Sequence, residues 1–509
     1  MRRTLRAVIG VGTIAFTACH GGSTTEPPPP PPPPPGPPTL SIGHDTTLLV
    51  DEALAVPVEA READGRQISN PSITWRSSAP TVASVDASGH VIALALGTAT
   101  LTATMDGIDA QTVVTVAPQF TQIATGDTHT CGITGRNEIY CWGISLYGEL
   151  EPASDLQDCS ARFGAGVKCS PVPVRSLDIR AVAITAGFMH TCALDANGTA
   201  FCWGPNHYGE AGTGSQSPVL TPTPVAGDLQ FIQITAGQSH TCGITTSHEA
   251  YCWGRDRTGE LGGGHVAPES CTFDRTYPCS RTPQLVAGSH EWAQLSTNDR
   301  ATCGITTSGE LYCWGLDVGG NDGLFCQEPG ILTGCTHTPI RIASPNIYKA
   351  VSIGGVHHCE QAPDDTIDCW GANYWGMFGD GTTGVGSPTP VPAGGGVAYA
   401  SLQATRSGTC ALTEGGRAQC WGHGNEGQIG NGALEDALTP ADVSGGHLFV
   451  VLTSNGISDF TCGIADTGRA YCWGWGVYAQ LGDGGFVSKS EPSLIRLVAD
   501  HASAAAERS

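Results

Sequence analysis

The stretch His240-Thr241-Cys242-Gly243-Ile244-Thr245-Thr246-Ser247-His248-Glu249-Ala250-Tyr251-Cys252-Trp253-Gly254 decides the fold, because the chain repeats its pattern. A cysteine is followed ten positions later by Cys-Trp-Gly seven times: Cys131 with Cys141, Cys192 with Cys202, Cys242 with Cys252, Cys303 with Cys313, Cys359 with Cys369, Cys410 with Cys420, and Cys462 with Cys472. Self-similarity at a spacing of about 50 to 60 residues marks a repeat architecture and outranks any local motif.

Each pair reads as a hairpin. If Cys242 and Cys252 lie directly opposite, Thr245 pairs with Glu249 and three residues remain in the loop. The third residue of such a loop takes the left-handed conformation, which glycine and asparagine adopt most easily. That position holds Gly198, Gly309, Gly416 and Gly468 in four repeats, Asn137 and Asp365 in two, and His248 in one. Turn chemistry thus supports a cross-strand disulfide in every hairpin, each worth about 3 kcal/mol by loop entropy. Zinc ligation fits poorly, because Cys-x9-Cys lacks the close spacing of zinc sites and no histidine recurs at a matching second site. Each repeat continues through residues such as Gly148-Glu149-Leu150, Gly259-Glu260-Leu261 or Gly427-Gln428-Ile429, and then a Pro-x-x-Val-like segment such as Pro222 to Val225. Four strands per repeat, seven times, predict a seven-bladed β-propeller. The chain enters near Phe120-Thr121-Gln122-Ile123 and leaves after Pro492 to Leu497, so the last strand is expected to complete a blade with the first strands.

Cysteine use sets the compartment. Three further close pairs, Cys159 with Cys169, Cys271 with Cys279, and Cys326 with Cys335, leave Cys19 as the odd member of 21 cysteines. Paired cysteines in this number imply an oxidising, exported location. Residues 1–18 have a basic start (Arg2, Arg3, Arg6) and a short apolar stretch from Ala7 to Ala18, the plan of a signal peptide. Phe16-Thr17-Ala18-Cys19 resembles a bacterial lipobox, with Phe16 in place of the usual Leu. Cys19 is therefore the expected lipidation site, and the lipid the chain's only expected hold on a membrane.

Residues 19–38 form a linker with an unbroken proline run from Pro27 to Pro35, a stiff spacer of ~3.1 Å per residue. Residues 39–117 read as a separate β-sandwich: Ile73-Thr74-Trp75-Arg76, Val82-Ala83-Ser84-Val85, Gly89-His90-Val91-Ile92-Ala93 and Gln111-Thr112-Val113-Val114-Thr115-Val116 alternate between turns. This unit resembles the bacterial Ig-like group 2 domain, which implies a spacer or adhesion module, and Trp75 is expected in its core. From 119 to 498 the motifs Ala-Gly-x-x-His-Thr-Cys, Tyr-Cys-Trp-Gly and Gly-Glu-Leu-Gly closely resemble the repeats of the regulator of chromosome condensation family. The fold class is thus all-β, a seven-bladed propeller behind an Ig-like sandwich, with a tail at 499–509. The family resemblance alone implies guanine-nucleotide exchange on a small GTPase, a partner that an exported, disulfide-bonded chain does not meet.

Charge and motifs narrow the function. A net charge of −23 argues against nucleic acid, whose binding rests on Lys and Arg neutralising phosphates. No catalytic, nucleotide, calcium or zinc motif appears, so no catalytic residue, cofactor or metal is assigned. His129, His190, His240 and His357 recur two residues before a repeat cysteine and are expected to stabilise blades through backbone bonds. The extra cysteine pairs sit in three insertions at one point of the repeat, which places them on a common face. Their Arg162 and Phe163, Phe273, Arg275 and Tyr277, and Phe325 are the candidate binding residues, because aromatic and Arg side chains on rigid loops suit recognition. The expectation is a monomeric, surface-tethered recognition or adhesion protein, not an enzyme, binding an extracellular protein or glycan. The alternatives are a secreted hydrolase or lyase with its site in the propeller channel, and an inhibitor of a secreted enzyme.

Overall fold

A computed structural model describes residues 36–150, 156–176, 179–273, 275–316, 335–344 and 346–496. Cys19, the proline run, Phe325, Cys326 and the 499–509 tail lie outside the described residues. Among the described residues, the chain from Phe120 to Leu494 forms seven antiparallel sheets, each built on four strands taken in chain order. The second blade, for example, runs Ala183–Ala186, Thr191–Leu194, Ala200–Gly204 and Val219–Pro224. The first strand of each blade lines the central channel and the fourth lies at the rim. The first and third blades gain a short edge strand from their insertions, Gln157–Asp158 and Glu269–Thr272.

All seven repeat cysteine pairs lie directly opposite across their hairpins, from Cys131 and Cys141 through Cys303 and Cys313 to Cys462 and Cys472. Each pair is closed as a disulfide with a Cα–Cα distance of 4.1 Å. Every third loop residue has positive φ, from 61° at Asn137 to 84° at Gly309. His248 tolerates φ 62° there while its Nδ1 bonds the Trp292 carbonyl at 3.0 Å. Cys159 and Cys169 also close within their insertion, as do Cys271 and Cys279. Of the third insertion pair, Cys335 opens the outer strand of the fourth blade, is buried, and is disulfide-bonded. The expected pairing of Cys335 with Cys326 falls on a residue outside the described ones.

The Cys-Trp dipeptide couples blades. Adjacent strand residues face opposite sides of a sheet, so the disulfide lies on one side of a blade and the indole on the other. Each indole then packs with the disulfide of the preceding blade. Trp203 meets Cys131 and Cys141, Trp253 meets Cys192 and Cys202, and Trp314 meets Cys242 and Cys252. Trp370 meets Cys303 and Cys313, Trp421 meets Cys359 and Cys369, and Trp473 meets Cys410 and Cys420. Trp142 completes the circle against Cys462 and Cys472 of the last blade. All seven indoles are fully buried. Burying 150–250 Å² of each contributes about 4–6 kcal/mol of transfer free energy. Six also donate Nε1–H to a carbonyl in the preceding blade's turn: Trp203 to Glu149, Trp253 to Glu210, Trp314 to Glu260, Trp421 to Met377, Trp473 to Gln428 and Trp142 to Gln480, at 2.8–3.1 Å. Trp370 instead bonds the Glu360 carboxylate within its own blade, at 2.7 Å.

The ring closes differently from the expectation. The last strand, Lys489–Leu494, pairs with Ala470–Gly474 of its own blade, and Phe120–Thr125 pairs with His129–Thr134. The chain enters at the start of an innermost strand, so the first blade already owns four strands and has no vacancy for a fifth from the far end. Side chains and a backbone bond close the seam instead: Trp142 and Thr130 both donate to the Gln480 carbonyl, at 2.8 and 2.7 Å, Gly484 N–H donates to the Pro171 carbonyl at 3.0 Å, and Phe120 and Phe460 share one core cluster.

The N-terminal unit packs one sheet (Thr46–Leu49, Ile108–Ala117, Gly97–Met105, Thr74–Ser77) over another (Ala53–Ala55, His90–Ala93, Ala83–Val85). Leu101, Val114, Val116, Val91 and Ala83 fill the space between, and Trp75 is half-buried at its margin. This unit touches both sides of the seam: Arg469 donates to the Thr47 carbonyl at 2.9 Å, Arg136 pairs with Asp51 at 3.4 Å, and Leu96 packs on the Phe120–Phe460 cluster.

The coupling predicts a contrast between neighbouring glycines. Gly262 has φ +65°, and a Cβ there would meet Trp314 Nε1 at 2.7 Å, whereas a Cβ at Gly263 meets nothing nearer than 3.9 Å. Gly262→Ala is expected to cost about 1–3 kcal/mol and Gly263→Ala close to none. Urea unfolding of both variants measures the difference; equal effects would contradict the coupling.

Candidate functional site

Four repeat histidines belong to the same inter-blade joint. His190 Nε2 lies 2.9 Å from Thr241 Oγ1, which donates its one proton to the Glu210 carbonyl at 2.8 Å. The hydroxyl must therefore accept from the histidine, which carries its proton on Nε2. His240 and Thr302 form the same relay to the Glu260 carbonyl, and His357 and Thr409 to that of Met377. His129 bonds Thr191 at 2.7 Å. The partner is thus a threonine of the next blade, where the sequence suggested backbone. Full burial pushes His129 down to about 4 and His190, His240 and His357 to about 3. Neutral, enclosed and committed to a hydroxyl, these rings are joints of the ring.

The turn glutamates serve similarly. Glu149, Glu210 and Glu260 each accept the backbone N–H two residues earlier, at 2.6–2.8 Å. Gln428 and Gln480 do so with amide oxygens in the last two blades. An acceptor oxygen is what the turn requires, and among the described residues Glu260 alone of the three adds an ion pair, with Arg255.

The channel, of ≈ 200 Å³, is lined by apolar groups, hydroxyls and amides such as Thr185, Thr235, Ser296, Ser352 and Gln403. Asn455 reaches across it from the seventh blade and donates to the carbonyls of Ala186 at 2.6 Å and Ala236 at 3.2 Å. Among the described residues, no three His, Cys, Asp or Glu side chains are grouped to hold a metal ion.

Chemistry gathers at one mouth of the channel. The loops joining the first two strands of each blade, and those joining the last two, emerge on this face. Between the glycine and histidine of Ala-Gly-x-x-His the repeats differ, and these variable positions border a recess of ≈ 530 Å³ lined by Phe188, Gln238, Arg300, Val356, Arg406 and Asp459 among others. Leu316 forms one edge; residues 317–334 beyond it lie outside the described residues. Arg255 bridges Glu260 and Asp299, at 3.1 Å each, and Asp299 in turn takes Arg300 Nε at 3.0 Å, which holds Arg300 on the wall. Arg406 is more loosely held, with Asp127 at 3.9 Å and Asp459 at 4.0 Å, and its side chain is 57% exposed. Asp459 accepts Ser407 Oγ at 2.6 Å. Asp127, beside the mouth, is pushed up to about 7 by burial, against the pull of Arg406. His358, 4% exposed and stacked on Trp370, has an Nδ1 without a partner; burial holds it down to about 4.

Aromatic residues mark the turns on this face, and the insertions cover two sets of them. Phe163 packs on Tyr478 and Phe486 of the seventh blade, and Arg162 lies 4.9 Å over the Phe486 ring and donates to its carbonyl. Phe273 stacks on His207 of the second blade with ring centres 3.8 Å apart, and Tyr277 packs on Tyr208 and Arg257. Arg275 stands in the tip of the same insertion. Each described insertion thus grips the preceding blade. The sixth blade has no insertion, and the fifth blade's Tyr374 and Trp375 are left 47% and 37% exposed, with His423 against Trp375 at 4.9 Å. Sequence reasoning passed over this pair and the variable x-x positions. The usable signal was variation inside an otherwise repeated motif.

Comparison with known proteins agrees with this geometry. Models described as the regulator of chromosome condensation (RCC1) repeat match residues 197–244 and 467–506, and 120–149, 181–210 and 231–260; the bacterial Ig-like domain (group 2) matches 41–116. The chain carries RCC1 repeats and a bacterial Ig-like domain. The RCC1 domain-containing protein RUG3, mitochondrial, of Arabidopsis thaliana is 32% identical over 195 residues, 37% of this chain and 43% of that protein, so the chain spans less than half of it. The ultraviolet-B receptor UVR8 of the same plant is 26% identical over 392 residues, 74% of this chain and 70% of the receptor. The structure of yeast RCC1 (Prp20) bound to Kap60 superposes with a TM-score of 0.59 at 20% identity, covering 71% of this chain and 84% of that one. That likeness shows the RCC1 propeller fold.

Glu210 provides a test of the turn's chemistry. Burial pushes its carboxyl up to about 7. A carboxyl raised in the fold contributes stability that is complete below its ordinary value and is lost as pH rises through about 7. Glu210→Gln keeps the acceptor oxygen and has no proton to lose. The variant is expected to match the parent near pH 5 and to gain about 1–3 kcal/mol near pH 8 in urea unfolding. Destabilisation at both pH values would contradict the reading.

Proposed function

We propose that this chain is a tethered recognition protein whose propeller head binds an extracellular protein or glycan at the channel mouth. The observation that carries the reading is the convergence of the repeats' variable positions on one recess beside Tyr374 and Trp375, which are partly exposed among the described residues. A propeller offers a rigid frame, and side chains already ordered lose little entropy on binding. Tryptophan, tyrosine and arginine are also the residues that dominate recognition energetics. Among similar proteins are a receptor and a propeller solved with a protein partner, in keeping with a protein-binding or regulatory role. Among the described residues the channel lining offers hydroxyls and amides, whereas the mouth gathers Arg300, Arg406 and Asp459, so the reading takes the mouth. Support for the tether comes from the sequence: a signal-like start, Cys19, the proline spacer and the Ig-like unit in that order.

The test is retention of envelope and extracellular components by the immobilised full chain. A double variant, Trp375→Ala with Arg406→Ala, is expected to lose the components held by the parent. Leu220→Ser, on an outer strand and 56% exposed, is expected to keep them. Equal retention by all three proteins would remove the mouth from consideration.

A further inference from the structure

We propose that the recess at the channel mouth takes an acidic sugar, a uronate unit of a glycan, with its carboxylate on Arg406 and its ring against Trp375. The inference deepens the recognition reading and rests on it.

The recess is a pocket rather than a plain. Its volume, ≈ 530 Å³, lies in the range that encloses a small ligand or one or two units of a longer one. A flat protein interface has no need of such depth. Its polar groups have capacity left over, and they are of both kinds. The Arg406 guanidinium makes no hydrogen bond among the described residues, its nearest carboxylates standing at 3.9 and 4.0 Å. Arg300 spends Nε on Asp299 and has its terminal nitrogens to offer. Gln238 uses its carbonyl oxygen on Arg255 and has its amide N–H groups to give. On the accepting side stands Asp459 Oδ2, met only by the distant Arg406. A peptide side chain would satisfy one or two of these. A polyhydroxylated ring, whose hydroxyls both donate and accept, matches a mixed and dispersed set.

Two further features narrow the sugar. The spare donors include two guanidiniums, and a planar guanidinium pairs best with a planar anion through two parallel N–H bonds. The indole of Trp375 stands at the edge of the recess, uncovered by any described insertion, and offers a flat apolar surface to the C–H face of a sugar ring. A single carboxylate per sugar suits a chain of net charge −23 better than a densely sulfated or phosphorylated ligand, which the surrounding field would repel.

Calorimetry with the full chain tests this against three probes: trigalacturonate, its methyl ester, and an acetylated Glu-Trp-Glu peptide. The acid trimer is expected to bind, and its ester, which lacks the charge, about tenfold or more weakly. Arg406→Gln is expected to lose about tenfold or more for the acid trimer and little for the ester. Trp375→Ala should weaken both sugars, and Trp375→Phe should recover part of the loss while leaving the unfolding midpoint unchanged. Equal binding of acid and ester, no binding of either, or an unaltered Arg406→Gln variant would overturn the assignment; binding of the peptide alone would assign the recess to a protein segment. Retention of envelope components together with silence toward the trimer would discard the sugar and keep the recognition reading. Silence in both experiments would discard both.

Discussion

A tryptophan N–H donated across a blade boundary to a turn carbonyl is the contact on which the rest of this structure depends. One carbonyl, that of Glu210, receives both Trp253 Nε1 and Thr241 Oγ1, and His190 completes the set through that threonine. Left unmet in a dry joint, such a carbonyl would cost about 1–3 kcal/mol, so the joint either forms completely or weakens at several points together. The disulfide beneath each indole adds a rigid wall. A residue pair that looks redundant in the sequence, cysteine beside tryptophan, therefore performs two tasks: one ties the blade to itself, the other ties it to its predecessor.

The joint is altered beside the recess. At the boundary of the fourth and fifth blades the threonine of the repeat is replaced by His358, and Trp370 bonds Glu360 of its own blade. His358 and Val356 line the recess there. At the seam between the last and first blades the ring has no shared strand, and contacts cross it in the interior and on both faces. Trp142 meets Gln480 in the interior, Arg162 and Phe163 grip Phe486 and Tyr478 on the mouth face, and the Ig-like unit reaches both Arg469 and Arg136 on the opposite face. The insertion in the first blade is thus a brace as much as a decoration.

Much of the fold was legible in the sequence because the repeat made its own checks. The hairpin register followed from loop chemistry at Gly198, Gly309, Gly416 and Gly468, and it survived even His248. Two things were not legible. Strand phase was misjudged, since a repeat read from Cys-Trp-Gly does not say whether the chain enters at an inner or an outer strand. The grip of the insertions on the neighbouring blade was the second: Phe163 packs on Tyr478 and Phe486, and Phe273 stacks on His207 while remaining 55% exposed. Phe163 and Phe273 find partners one blade away, at distances in sequence that no local pattern reports. The residues at the mouth are spread over several blades, and only the ring's curvature brings Arg300, Arg406 and Asp459 together.

Hydrogen exchange of the indole N–H groups, followed in protein labelled with ¹⁵N-tryptophan, tests the central contact most directly. A ring closed without a shared strand predicts that Trp142, at the seam, is protected as strongly as Trp253 and Trp314 inside the ring. Exchange of Trp142 within minutes, with Trp253 and Trp314 still protected, would mean that the seam stands open and that the latch does not close the ring.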